Sequence, residues 1–138
     1  MLGEVPLSTA STVDRLDHLV LTVADIGATC DFYARVLGMR VVEFGQGRKA
    51  LAFGRQKINL HRRGAEFVPH ALQPLPGSAD LCFITEMPLE TAMAAVRAQR
   101  VEILEGPVDR TGANAPLRSF YFRDPDGNLI EVANEVRA

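Results

Sequence analysis

Hydrophobic and polar positions alternate through RLDHLVLTV, residues 15–23, and the β-branched content supports a strand. Leu19, Leu21 and Val23 share one face, and His18 falls on the other with Val20 and Thr22. The period then changes. Asp25 is placed as an N-cap, Ile26, Phe32, Tyr33, Val36 and Leu37 recur at helical spacing, and Gly38 stands where a helix over 26–37 should end. Three short strands are expected at about 39–44, 48–53 and 57–62, divided by Gly45, Gly47 and Gly54. Residues 63–78, RGAEFVPHALQPLPGS, have no period and read as a linker. The order then repeats, with a strand at 79–85, a helix at 89–99, and strands at 101–104, 117–123 and 128–134. EGPVDRTGANAP, residues 105–116, reads as a long loop.

The pattern is thus α+β, with two tandem βαβββ modules at 15–62 and 79–134 behind a flexible lead-in at 1–14. One such unit has an apolar sheet face that it cannot cover alone. Two together predict a cupped, eight-stranded mixed sheet with helices on its outer face and a site in the hollow. The strongest local signal is RDPDGN at 123–128, between SFYFR and NLIEV. Pro125 presets a turn and Gly127 supplies positive φ, so the two segments form a hairpin.

Alternation then sorts candidate chemistry onto the hollow face. Phe120, Phe122, Ile130 and Val132 are wholly apolar and face the helices, which leaves Ser119, Tyr121 and Glu131 opposite them. A carboxylate in a strand interior needs a cation, a donor or water. By the same rule Ile58 and Leu60 send Asn59 and His61 to the hollow face, and Leu81 and Phe83 send Asp80 and Cys82 there. Arg110 and Arg118 stand near these strands, and a planar guanidinium suits an anionic substrate.

Composition narrows the partners. The hydrophobic fraction is 47%, the charged fraction 23% and the net charge −2, which is ordinary for a globular chain and gives no electrostatic case for nucleic acid or an anionic membrane. No apolar run approaches the ~20 residues of a membrane helix. The first residues lack the basic and apolar regions of a signal peptide. Cys30 and Cys82 occupy no metal-ribbon spacing and fit a reduced, cytoplasmic setting. His70, in the linker, and Arg62–Arg63 are expected at the surface.

DHLVLTVADIGATCDFYARVLGMR and SFYFRDPDGNLIEV resemble the two ends of the vicinal oxygen chelate superfamily, which includes glyoxalase I, fosfomycin-resistance proteins, extradiol dioxygenases and bleomycin-resistance proteins. INLHRRG, PGSADLCFIT and EGPVDRTGA look like the subgroup of glyoxalase-domain-containing protein 5 and its dioxygenase-like bacterial relatives. The resemblance implies a divalent metal (Fe, Mn, Ni or Zn) in the cup, with His18 and Glu131 at the positions of the first-strand and last-strand ligands. Two positions depart from the pattern. Asn59 stands where glyoxalase I has a carboxylate or amide ligand, and His61, two residues on, could substitute as a metal ligand only by a shifted reach. Asp80 stands where dioxygenases carry a histidine and would join His18 and Glu131 as a metal ligand in an Asp/His/Glu set.

The function implied is metal-dependent isomerase, lyase or oxygenase chemistry on a small substrate held through vicinal oxygens. Glu131 would serve as ligand and proton carrier, and Tyr121 and Ser119 would bond substrate oxygens. Asn59, Cys82, Arg110 and Arg118 would line the pocket. The alternative is a metal-free sequestering protein of the bleomycin-resistance type, which the absence of tryptophan disfavours. The resemblance further implies a homodimer in which modules of two chains complete each cup, although the even number of modules would also let one chain complete a cup internally.

Overall fold

The structure, a computed structural model, describes residues 11–137, so most of the expected lead-in lies outside the described residues. The elements are β1 (His18–Val23), α1 (Ile26–Leu37), β2 (Arg40–Phe44), β3 (Arg48–Phe53), β4 (Gln56–Arg62), β5 (Asp80–Ile84), α2 (Leu89–Ala98), β6 (Glu105–Thr111), β7 (Pro116–Arg123) and β8 (Leu129–Glu135). This is β-α-β-β-β twice over. The eight strands divide into two four-stranded mixed sheets, ordered β1-β4-β3-β2 and β5-β8-β7-β6. In each module the first and last strands pair in parallel and the others antiparallel.

Helix α1 forms where its capping chemistry places it. The Asp25 carboxylate accepts from the Ala28 amide at 2.8 Å, and Gly38, at φ 68°, closes the other end with its amide on the Ala34 carbonyl. One expectation fails. Residues 101–104 are not a strand, and the segment expected to be a loop supplies β6. Val101 and Ile103 alternate because they pack against the core, not because they pair with a strand. β6 tolerates its glycine and proline because it is an edge strand with a register shift between Glu105 and Val108.

The apolar faces of both sheets and the buried stripes of both helices join one contiguous core. Phe32 of α1 lies 6.2 Å from Phe122 of β7, and Phe53 of β3 meets Phe83 of β5 edge-on at 5.3 Å. Phe120 and Phe122 are fully buried, each stabilising the fold by roughly 1.5–3 kcal/mol. The polar faces of both sheets look away from this shared core.

The 123–128 turn also joins the modules. Buried Asp124 accepts from Tyr33 Oη at 2.6 Å, from the Asp126 and Asn128 amides, and from Asn128 Nδ2. Asp126 accepts from the Ala24 amide, and Asn128 Oδ1 from the Ala79 amide. Burial, with the neighbouring Asp124 carboxylate, holds the Tyr33 phenol far above its usual range. Gly77 closes over this turn at φ 81°, where a Cβ would sit 2.5 Å from the Asp126 carbonyl oxygen. Gly77→Ala is therefore expected to lower stability by about 2 kcal/mol in urea unfolding, through left-handed strain and that clash.

Candidate functional site

The two polar faces carry different chemistry. In the second module, one rung aligns Cys82, Glu131, Tyr121 and Glu105 across all four strands. Glu131, Tyr121 and Glu105 border a hollow of about 440 Å³ that Asp80, Arg110 and Arg123 also line, among others; Cys82 does not border it. Arg110 Nε donates to Tyr121 Oη at 2.9 Å, and its Nη2 lies 3.5 Å from Glu105. Loss of water raises the Tyr121 phenol above its usual value, against the pull of Arg110. The Cys82 thiol is pushed up to about 11, by desolvation first and then by the Glu131 carboxylate opposite. Glu131 Oε2 is buried and has no hydrogen-bond partner among the described residues.

In the first module, the polar face carries His18, Val20 and Thr22 on β1, Lys57, Asn59 and His61 on β4, Arg48 on β3, and Arg40 and Phe44 on β2. These strands put no carboxylate on this face. The linker packs across it. Phe67 meets the His61 ring edge-on at 5.4 Å and stacks 4.2 Å from the Arg48 guanidinium carbon. His61 is thereby only 4% exposed, although it stands on the polar side of its strand. Beside it a hollow of about 210 Å³ is bounded by Thr22, His61, His70, Gln73 and Ser78, among others. His70 is exposed, as expected, and its Nδ1 lies 2.8 Å from the Ala71 carbonyl oxygen.

His61 titrates below its ordinary value, through burial first and then the Arg48 charge; His70 adds to the depression and Glu66 opposes it. Because the neutral ring is favoured in the folded chain, protonating it on acidification below about pH 6.5 costs stability. Arg48→Gln is expected to move the His61 midpoint part of the way back towards 6.5, since burial remains. An NMR titration of the ring protons measures this.

The expected site residues thus separate. Asp80, Glu131, Tyr121 and Arg110 come together, with Cys82 opposite Glu131. His61 and Asn59 lie on the other module's face, and Asn59 Oδ1 is also buried without a partner. His18, half-exposed, hydrogen-bonds Asp17 at 2.9 Å. Ser119 is fully buried, its Oγ unpartnered, and does not border either hollow. Arg118 alternates to the helix side of β7 and pairs with Glu90 of α2 at 3.0 Å, away from the hollow. Among the described residues no three His, Cys, Asp or Glu side chains gather as a metal site.

A divalent cation suits the donor chemistry of the second module's wall, where a buried carboxylate oxygen lacks a partner near Asp80. The histidine that would complete the set stands on the other module. Arg48, Phe67 and Lys57 were missed by sequence reasoning. Alternation alone would have put Arg48 and Lys57 on the polar face; nothing in the aperiodic linker pointed to Phe67.

The fold and the sequence place the chain in one class. It belongs to the glyoxalase/bleomycin resistance protein/dioxygenase superfamily, whose model matches residues 15–132. Among its relatives is the virulence protein STM3117 of Salmonella typhimurium, 56% identical over 124 residues, which are 90% of this chain and 86% of that one. The glyoxalase domain-containing protein RDO1 of Mycosarcoma maydis is 55% identical over 89% of this chain and 69% of its own. The integron cassette protein VCH_CASS1 of V. cholerae has a solved structure that superposes with a TM-score of 0.89 at 61% identity, covering 91% of this chain and 98% of that one. Among the described residues no helix is long and apolar enough to cross a membrane.

Proposed function

We propose that the chain is a metal-dependent enzyme of the vicinal oxygen chelate type, acting as a homodimer on a small substrate held through two adjacent oxygens. Each cup would pair the first module's polar face of one copy with the second module's polar face of the other. Glu131 and Asp80 of one copy and His18 of its partner would hold the cation. The observation that carries this reading is Glu131 Oε2, a buried mid-strand carboxylate oxygen with no partner. Charge supports the pairing, since one face presents Arg40, Arg48 and Lys57 with no carboxylate from its strands, and the other carries Asp80, Glu105 and Glu131 against Arg110 and Arg123.

When bound, the cation would polarise the substrate oxygens and stabilise an oxyanion, for isomerase, lyase or oxygenase chemistry. The protein's own groups supply the rest. Arg110, donating to Tyr121 Oη, orients the phenol and leaves its proton for a substrate oxygen. Glu131, beside it on the same rung, is placed to take or return a proton.

Elemental analysis of protein purified without chelator tests the reading. Near-stoichiometric divalent metal is expected in wild type and its loss in both His18→Ala and Glu131→Ala. Wild type without metal after reconstitution would favour the metal-free sequestering alternative.

A further inference from the structure

We infer that the first module's polar face is an anion subsite, in which Arg48 and His61 bind a carboxylate or phosphate group of the substrate. The inference rests on the reading above in taking the polar faces as the substrate cup, and it adds the class of substrate. Arg48 is held by two rings, its guanidinium carbon 5.0 Å from the Phe44 centroid and 4.2 Å from that of Phe67. Its Nε is buried and has no acceptor among the described residues, while Nη2 makes only a 3.5 Å approach to His61 Nε2. The Nε–H of the fork is therefore fixed in place and unspent, beside an Nη2 that reaches only towards His61.

His61 Nδ1 is likewise buried without a partner. Lys57 adds a second cation, its Nζ 3.8 Å from the Phe44 ring, and neither Lys57 nor Arg48 has a carboxylate partner among the described residues. The nearby Glu66 is turned to the Gly64 amide at 3.0 Å. Two unpaired cations and two orphaned polar nitrogens call for a ligand with negative charge and oxygen acceptors. They also argue against His61 as a metal ligand, because the guanidinium already occupies its Nε2 side. In the assembled cup, the Asp80 and Glu131 carboxylates of one wall would face the cation and the basic wall the substrate's own charge.

The test titrates chelator-treated full-length protein with inorganic phosphate and, separately, with succinate, following the Arg48 Nε–H and His61 ring signals by NMR at constant ionic strength. Saturable shifts are expected with at least one of them, and which one separates a phosphate from a carboxylate substrate. Affinity is expected to fall at least tenfold in Arg48→Gln. Arg48→Lys, which keeps the charge but not the Nε–H, should weaken binding about fivefold and guards against misfolding of the first variant. If neither anion shifts these signals, or both variants bind like wild type, the inference is overturned, even where metal binds as proposed above. Anion binding without any metal binding would instead overturn the catalytic reading and leave the subsite standing.

Discussion

Asp124→Ala is expected to remove about 4 kcal/mol of stability, the largest effect of any single side chain outside the apolar core. The carboxylate is buried and accepts four hydrogen bonds, one from Tyr33 of the other module and three from its own turn. Removing it strands the Tyr33 hydroxyl, the Asn128 side chain and two amides away from water, each at a cost of about 1–3 kcal/mol before the turn relaxes. Domains of this size have only about 5–15 kcal/mol in total, so the variant should be marginal at 37 °C. Tyr33→Phe deletes one donor and leaves the turn's own bonds, so about 1.5 kcal/mol is expected. Urea unfolding of the two variants and their combination checks both figures, and the combination should cost less than their sum, because the Tyr33–Asp124 bond is lost only once. A loss below about 1 kcal/mol for Asp124→Ala would mean that the junction lies elsewhere.

Mixing two inactive variants should restore metal binding. If each cup draws His18 from one copy and Glu131 from the other, His18→Ala and Glu131→Ala homodimers each have both cups broken. A mixed dimer has one cup missing both groups and one cup intact. Random reassortment makes about half of the dimers mixed, so about a quarter of wild-type metal content should return on co-refolding equal amounts. If both groups served a single chain's cup, nothing would return. Light scattering reports alongside whether the protein is a dimer at all.

Local chemistry made much of the fold legible. Asp25 and Gly38 mark the ends of α1, and RDPDGN marks the last hairpin, because caps and turns are decided by a few neighbouring residues. β6 was not legible, since Pro107 and Gly106 argue against a strand everywhere except at an edge with a bulge. For the site, alternation put Glu131, Asp80 and His61 on polar faces, as found. It could not separate those faces into two hollows, because a period of two fixes which side of its own sheet a residue takes and nothing about the other sheet. Arg118 was expected at the pocket from proximity alone, against the alternation that puts it on the side of Phe120 and Phe122, where it meets Glu90. The role of Asp124 was hidden for a related reason: its partner lies on a helix of the other module, remote in sequence.

The pairing of first with last strand in each module bears on how the chain is made. On the ribosome β1 emerges with its apolar edge exposed and has no sheet to join until β4 follows. β5 waits likewise for β8. Even a finished first module leaves Phe32 and Tyr33 uncovered, because their partners Phe122 and Asp124 sit in the closing hairpin. The nascent polypeptide therefore gains little lasting order in stages, and its commitment to the native state comes with the last strand, which makes the growing chain a natural client for holding chaperones.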